Sequence, residues 1–157
     1  MGDMLVRLYD LPDSAGIYAK LKEKNIEIIR PMTPNRNRIL DWIEEHFGAG
    51  WKSEVSIAFG SHPVSCFVAV DRSKGEILGF AGYDCTCKDF FGPTGVREDA
   101  RGQGIGTALL FRCLEAMRDE GYGYAIIGDV GPAVFYEKTV GAQIIENSTP
   151  GVYKDMI

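Results

Sequence analysis

"GVREDARGQGIGTALL", Gly95 to Leu110, sets three glycines, Gly102, Gly104 and Gly106, directly ahead of a strongly apolar stretch. Before it, "FFGPTGV" (90–96) reads as a strand interrupted by Gly92, Pro93 and Gly95, which points to a bulge and a departure from the neighbouring ladder. After it, Ile105, Leu109, Cys113 and Met117, joined by Leu110 and Leu114, recur at helical spacing, while Arg112, Glu115, Arg118 and Asp119 fall on the other side. A bare turn between a strand and a helix start leaves unpaired N–H groups pointing outward, where the helix dipole favours an anion. Side chains there would block the approach.

Known glycine-rich devices narrow the reading. A P-loop needs Lys and then Ser or Thr after the last glycine, whereas Gly106 is followed by Thr107 and Ala108. The dinucleotide fingerprint G-x-G-x-x-G fails because the spacing here is G-x-G-x-G, late in the chain instead of after the first strand. On the glycines alone, a flexible turn without a ligand remains the bland alternative.

Outward from this segment the pattern alternates. "MLVRLYDL" reads as a short strand, "PDSAGIYAKLKEKN" as a helix starting near Pro12 and Asp13, and "IEIIRP" as a strand closed by Pro31. "NRNRILDWIEEHFGAGW" gives a helix that Gly48 and Gly50 end. "SCFVAVD" and "EILGFAGYDC" form a hairpin across "RSKG". Beyond the long helix come a buried strand in "YAIIGDV", a short helix "PAVFYEK" opened by Pro132, and terminal strand material in "AQIIENS" and "GVYKDMI". The order β-α-β-α-β-β-β-α-β-α-β predicts an α/β domain with a mixed sheet.

Composition sets the class. The 157 residues, 45% hydrophobic and 25% charged, suit one compact domain over 1–157. A net charge of -5 supplies no basic patch for nucleic acid. No secretory signal or membrane-length apolar run is visible, so the expectation is a cytoplasmic protein without a membrane partner. Cys66, Cys85, Cys87 and Cys113 read as reduced thiols, and no second cysteine pair or nearby His completes a metal site around Cys85 and Cys87.

The segment "RGQGIG" satisfies the Arg/Gln-x-x-Gly-x-Gly/Ala pattern of the GCN5-related N-acetyltransferases (GNAT), which this sequence closely resembles from about Ile26 onward. "VFYEKTVGA" is similar to that family's Tyr-Glu-Lys-x-Gly-Phe segment, with Ala142 in place of the Phe. Residues 1–25 stand outside the resemblance as an additional strand and helix. The resemblance implies a mixed sheet splayed between the fourth and fifth core strands, flanked by helices, with acetyl-CoA as co-substrate lying in the gap. It also implies that the amides of Arg101, Gly102, Gln103, Gly104, Ile105 and Gly106 hold the pyrophosphate, with Thr107 adding a hydroxyl. Val96 and Arg97 would pair with pantetheine, and Tyr136 would meet the departing thiolate. For Tyr136 the plain alternative is an aromatic anchor of the short helix.

The implied reaction is transfer of an acetyl group to a primary amine of a small molecule: an amino sugar, polyamine, amino acid or antibiotic. A protein Lys or N-terminus, or a non-catalytic acyl-CoA sensor, are the alternatives. Homodimer formation is left open, and no metal is called for. An amine with a pKa near 10 is only about one part in a thousand neutral at pH 7, so a proton must leave. Asp129, just after the buried run "YAIIG", is the candidate to hold or deprotonate the amine, with Asp84 in reserve; an Asp that opens the turn or caps the next helix is the equal alternative.

Overall fold

The computed structural model describes residues 2–157. Among these, seven strands make one mixed sheet in the order β2-β3-β4-β5-β6-β1-β7, formed by β1 (Met4–Arg7), β2 (Ile26–Ile29), β3 (Cys66–Asp71), β4 (Glu76–Tyr83), β5 (Phe90–Val96), β6 (Tyr124–Ile127) and β7 (Gln143–Ile144). All neighbours are antiparallel except β5 and β6, which run parallel. Helices α1 (Ala15–Glu23), α4 (Ile105–Asp119) and α5 (Ala133–Val140) cover one face, and α2 (Arg36–Phe47) with α3 (Ala49–Ser56) cover the other.

The long helix follows its sequence pattern: Ile105, Leu109, Cys113 and Met117 are all buried in the larger core. Phe111 is buried as well, which widens the apolar arc beyond the expected stripe. The reason lies in α1, which is fastened to α4 where Ser14 and Tyr18 donate their hydroxyl hydrogens to Glu115. The additional N-terminal segment is therefore built into the body of the fold. Its strand β1 lies between β6 and β7, pairing Met4 with Ile127 on one side and with Ile144 on the other.

Two expected elements differ. The second helix ends at Gly48, whose φ of 99° only glycine adopts readily, but Gly50 lies inside the following helix α3. A helical glycine costs only about 1 kcal/mol, and the burial of Val55 in the same helix offsets it. The end of the chain, read as strand material, forms a 3-10 turn over Gly151–Asp155.

The bulge in β5 falls where the glycines and proline indicated. Between the pairs Ala81–Thr94 and Tyr83–Phe91, β5 advances one residue more than β4. On its other edge β5 touches β6 through only Phe90–Ile126 and Phe91–Ile127, and beyond these pairs the strands part. The sheet is thus splayed between its fourth and fifth strands counted from β2.

Candidate active site

The strand edge facing the gap follows from the register. The Arg97 N–H donates to the Leu78 carbonyl at 2.8 Å, so Arg97 belongs to a hydrogen-bonded pair with β4. Antiparallel pairs alternate, and Val96 opposite Gly79 is therefore non-hydrogen-bonded, with its N–H and C=O turned toward the gap. The same geometry turns the Arg97 amide the other way. Its amide is spent on β4, its guanidinium reaches Asp99 and Glu76, and it lines a charged surface groove with His46 and Trp42 instead of the gap.

A cavity of about 540 Å³ occupies the gap above Val96. Arg101, Gly102, Gly104, Ile105, Gly106 and Thr107 line its upper end, and Thr94, Phe91, Trp51 and Tyr136 its lower end. Helix α4 starts here without a side-chain cap, and its first internal bond runs from the Ala108 N–H to the Gly104 carbonyl at 3.0 Å. The amides of Ile105, Gly106 and Thr107 thus have no partner within the helix. Gly102 and Gly104 have φ of 82° and 90°, and a methyl group on either would stand in open space. Gly104 lines the cavity, so its missing side chain leaves room in front of the amides. Among the described residues Arg101 is the one charged member of the lining, and its Nε donates to the Val96 carbonyl at 3.1 Å. Gln103 turns aside, donating from its amide nitrogen to the Ala100 carbonyl.

Gly95 has a second role that the sequence did not reveal. A methyl group here would lie 2.6 Å from Cζ of Phe47, so the bare strand lets that ring lie against it. Phe47 in turn stacks on Trp51 with centroids 5.4 Å apart, and the pair forms an aromatic wall of the cavity.

A second cavity, of about 360 Å³, adjoins the first and shares Trp51, Phe91, Thr94 and Tyr136 with it. Asp129 lines this second space. Tyr136 is buried between the edges of Phe91 and Phe135, and burial holds its phenol above the usual value. Asp129 sits at a φ of 45°, and its N–H donates to Oδ1 of the buried Asp3 at 2.9 Å. Asp84 lines neither cavity: it accepts from the Tyr122 hydroxyl and the Asp89 N–H. Asp89, at the entrance of β5, is pushed up to about 6 by burial and then by Asp84, but it too is outside both cavities.

Three of the thiols are held in their neutral form. Burial pushes Cys66 and Cys113 up, and raises Cys85 to about 12. Of the described helices, none is long and apolar enough to cross a membrane.

A strand edge turned from its neighbour, a parting sheet and a bare helix start thus face one cavity. A family model described as an acetyltransferase (GNAT) domain matches residues 62–139, and the chain belongs to the GCN5-related N-acetyltransferase family. Solved structures share the fold at low identity. The GCN5-related glucosamine N-acetyltransferase region of a fungal multi-domain GH3 beta-N-acetylglucosaminidase superposes with a TM-score of 0.75 over 92% of this chain at 16% identity. A GCN5-related N-acetyltransferase from Sphaerobacter thermophilus gives 0.70 over 92% at 18% identity. A tandem GNAT protein from the clavulanic acid biosynthesis pathway gives 0.58 over 91% at 14% identity. The chain spans 19%, 48% and 49% of those three proteins, respectively. Among curated proteins, none matches it.

Proposed function

We propose that the chain is an acetyl-CoA-dependent N-acetyltransferase acting on a primary amine of a small molecule. The observation that carries this reading is the Val96 edge facing a cavity that continues onto the uncapped start of α4. Acetyl-CoA fits that lining: its diphosphate matches amides with no helical partner, and its pantetheine amides match a strand edge turned away from β4. When bound it supplies an activated thioester acyl group.

The amides of residues 102–107 and the Arg101 fork hold the diphosphate, and the backbone of Val96 aligns the pantetheine arm. Trp51, Phe91, Thr94 and Tyr136 surround the junction of the two cavities, where acyl carbon and amine meet. There a C–N bond forms as the C–S bond breaks. The attacking nitrogen must first shed a proton, which Asp129 or water accepts, and the departing sulfur receives a hydrogen bond from the Tyr136 hydroxyl. That phenol, held neutral by burial, is a donor throughout the ordinary pH range.

The test is release of free thiol from acetyl-CoA over a panel of amines, paired with calorimetry of acetyl-CoA alone. Saturable binding with amine-dependent thiol release supports the reading. Absence of acetyl-CoA binding overturns it, and binding with no turnover of any amine leaves the chain an acyl-CoA-binding module.

A further inference from the structure

Among the described residues, Asp3 is the one acidic or basic side chain that is buried, at 7% exposure. A carboxyl group out of water is costly unless its oxygens are hydrogen-bonded, so its place just before β1 needs a reason. The bond it makes gives one. Oδ1 of Asp3 accepts the N–H of Asp129 at 2.9 Å, and the neighbouring Gly2 carbonyl accepts the N–H of Val130 at 3.0 Å.

These contacts begin where the ladder between β1 and β6 stops, at the pair Met4–Ile127. Past that pair Asp129 turns out of the strand with a φ of 45°, a conformation that a non-glycine residue keeps only where its surroundings hold it. Gly128 lies so close to the Tyr153 hydroxyl and the Phe90 ring that a methyl group there would collide with both. The loop is thus gripped by its main chain and has little room to shift.

What this grip places is a wall of the second cavity. Residues 127–132 line it without a break, so the course of the main chain bounds the space, whichever way each side chain points. No residue of that run lines the first cavity, and Asp3 lines neither. Resting on the acetyl-transfer reading, we propose that Asp3 is a positioning residue for the acceptor: by accepting the Asp129 N–H it holds the 128–132 loop where the amine can seat, and it takes no part in holding acetyl-CoA. The role runs through a main-chain N–H and is independent of what the Asp129 carboxylate does.

Asp3 also makes a bond that does not reach the loop, its own N–H donating to Ser148 Oγ at 2.8 Å, which supplies a control. Glucosamine, spermidine, phenylalanine and phenethylamine are offered as acceptors, thiol release from acetyl-CoA is followed, and the amine that wild type turns over fastest becomes the probe. Loss of folded protein lowers the apparent kcat without moving a KM, so the amine KM is the decisive readout. Asp3→Ala raises it about tenfold, as for the loss of a hydrogen bond to a carboxyl group, while the acetyl-CoA Kd stays within about twofold of wild type in calorimetry. Asp3→Asn keeps an acceptor oxygen and stays within about threefold. Ser148→Ala lowers the melting temperature and leaves the amine KM unchanged. In wild type the Asp129 amide exchanges its hydrogen at least about tenfold more slowly than in an unstructured chain. An unprotected Asp129 amide overturns the proposal without any variant. So does an unchanged amine KM in folded Asp3→Ala, an Asn variant no better than Ala, or an equal rise in Ser148→Ala. Failure to bind acetyl-CoA, or binding with no amine acetylated, instead strikes the underlying acetyl-transfer reading.

Discussion

The two cavities that meet at Tyr136 are made of different material. The upper one sets backbone beside its aromatic wall of Phe47 and Trp51: glycines with positive φ, amides at the start of α4, and the outward edge of Val96. The lower one takes most of its lining from side chains of α3, β5, the end of β6 with the segment that follows it, and α5. A site made of main chain needs contiguous residues of restricted type, whereas a side-chain site can be assembled from any segments the fold brings together.

Gly104→Val is the harshest way to break this contrast. A branched side chain at a φ of 90° is strained by about 1–3 kcal/mol and occupies the open space before the amides. Acetyl-CoA affinity should fall by about 100-fold, a loss of anion contacts worth a few kcal/mol. Gly104→Ala, a milder change, should lose about tenfold while staying folded. Calorimetry with circular dichroism separates binding from unfolding. Affinity unchanged in a folded variant would mean that the backbone cradle is not a cradle.

Tyr136→Phe probes the junction itself. The ring and its contacts with Phe91 and Phe135 remain, while the hydroxyl is removed. We expect kcat to fall by about 10- to 100-fold with acetyl-CoA affinity nearly unchanged, as for a contact that strengthens mainly in the transition state. The pH profile supplies a second reading. Burial raises the Tyr136 pKa, so the neutral donor persists to higher pH than in a free phenol. The wild-type rate should therefore rise as the acceptor deprotonates, with no alkaline fall from this group below about pH 10. An alkaline loss near pH 8 that Tyr136→Phe abolishes would contradict that assignment.

Arg101→Lys has the smallest expected effect. Lys retains the positive charge but lacks the fork that can hold the Val96 carbonyl through Nε while its other nitrogens face the cavity. A three- to tenfold loss of acetyl-CoA affinity, roughly, is expected, with the ratio between amine acceptors unaltered. A changed acceptor ratio would show that the two cavities are not separable.

The sequence made the upper cavity legible because its requirements are local. Gly102, Gly104 and Gly106 ahead of a periodic apolar helix specify a turn, a helix start and a direction, and Pro93 with its glycines marks where β5 leaves the ladder. Arg97 marks the limit of local pattern: adjacent residues of a strand face opposite neighbours, and only the register to Leu78 decides which one faces the gap. The lower cavity depended on contacts that no local pattern encodes. Asp129 could be named from its position after a buried run, but its anchor, Asp3, is at the other end of the sequence. Nor could Gly95 announce Phe47, because the clash that requires glycine there exists only after α2 has packed across β5.

The insertion of β1 between β6 and β7 affects how the catalytic gap is assembled. Strands β3, β4 and β5 follow one another along the chain and pair as they follow, so the wall that carries Val96 closes through short loops. The facing wall is held to β5 by two residue pairs, and its other edge is completed only when Met4 finds Ile127, about 120 residues away along the chain. Pairings between such distant segments form late, because the loop entropy is lost before the contacts compensate for it. On this ground we expect the cleft to gain its second wall only after β3, β4 and β5 have paired. A folding intermediate lacking β1 would keep its strand-and-helix core yet have no second wall against which to hold a substrate.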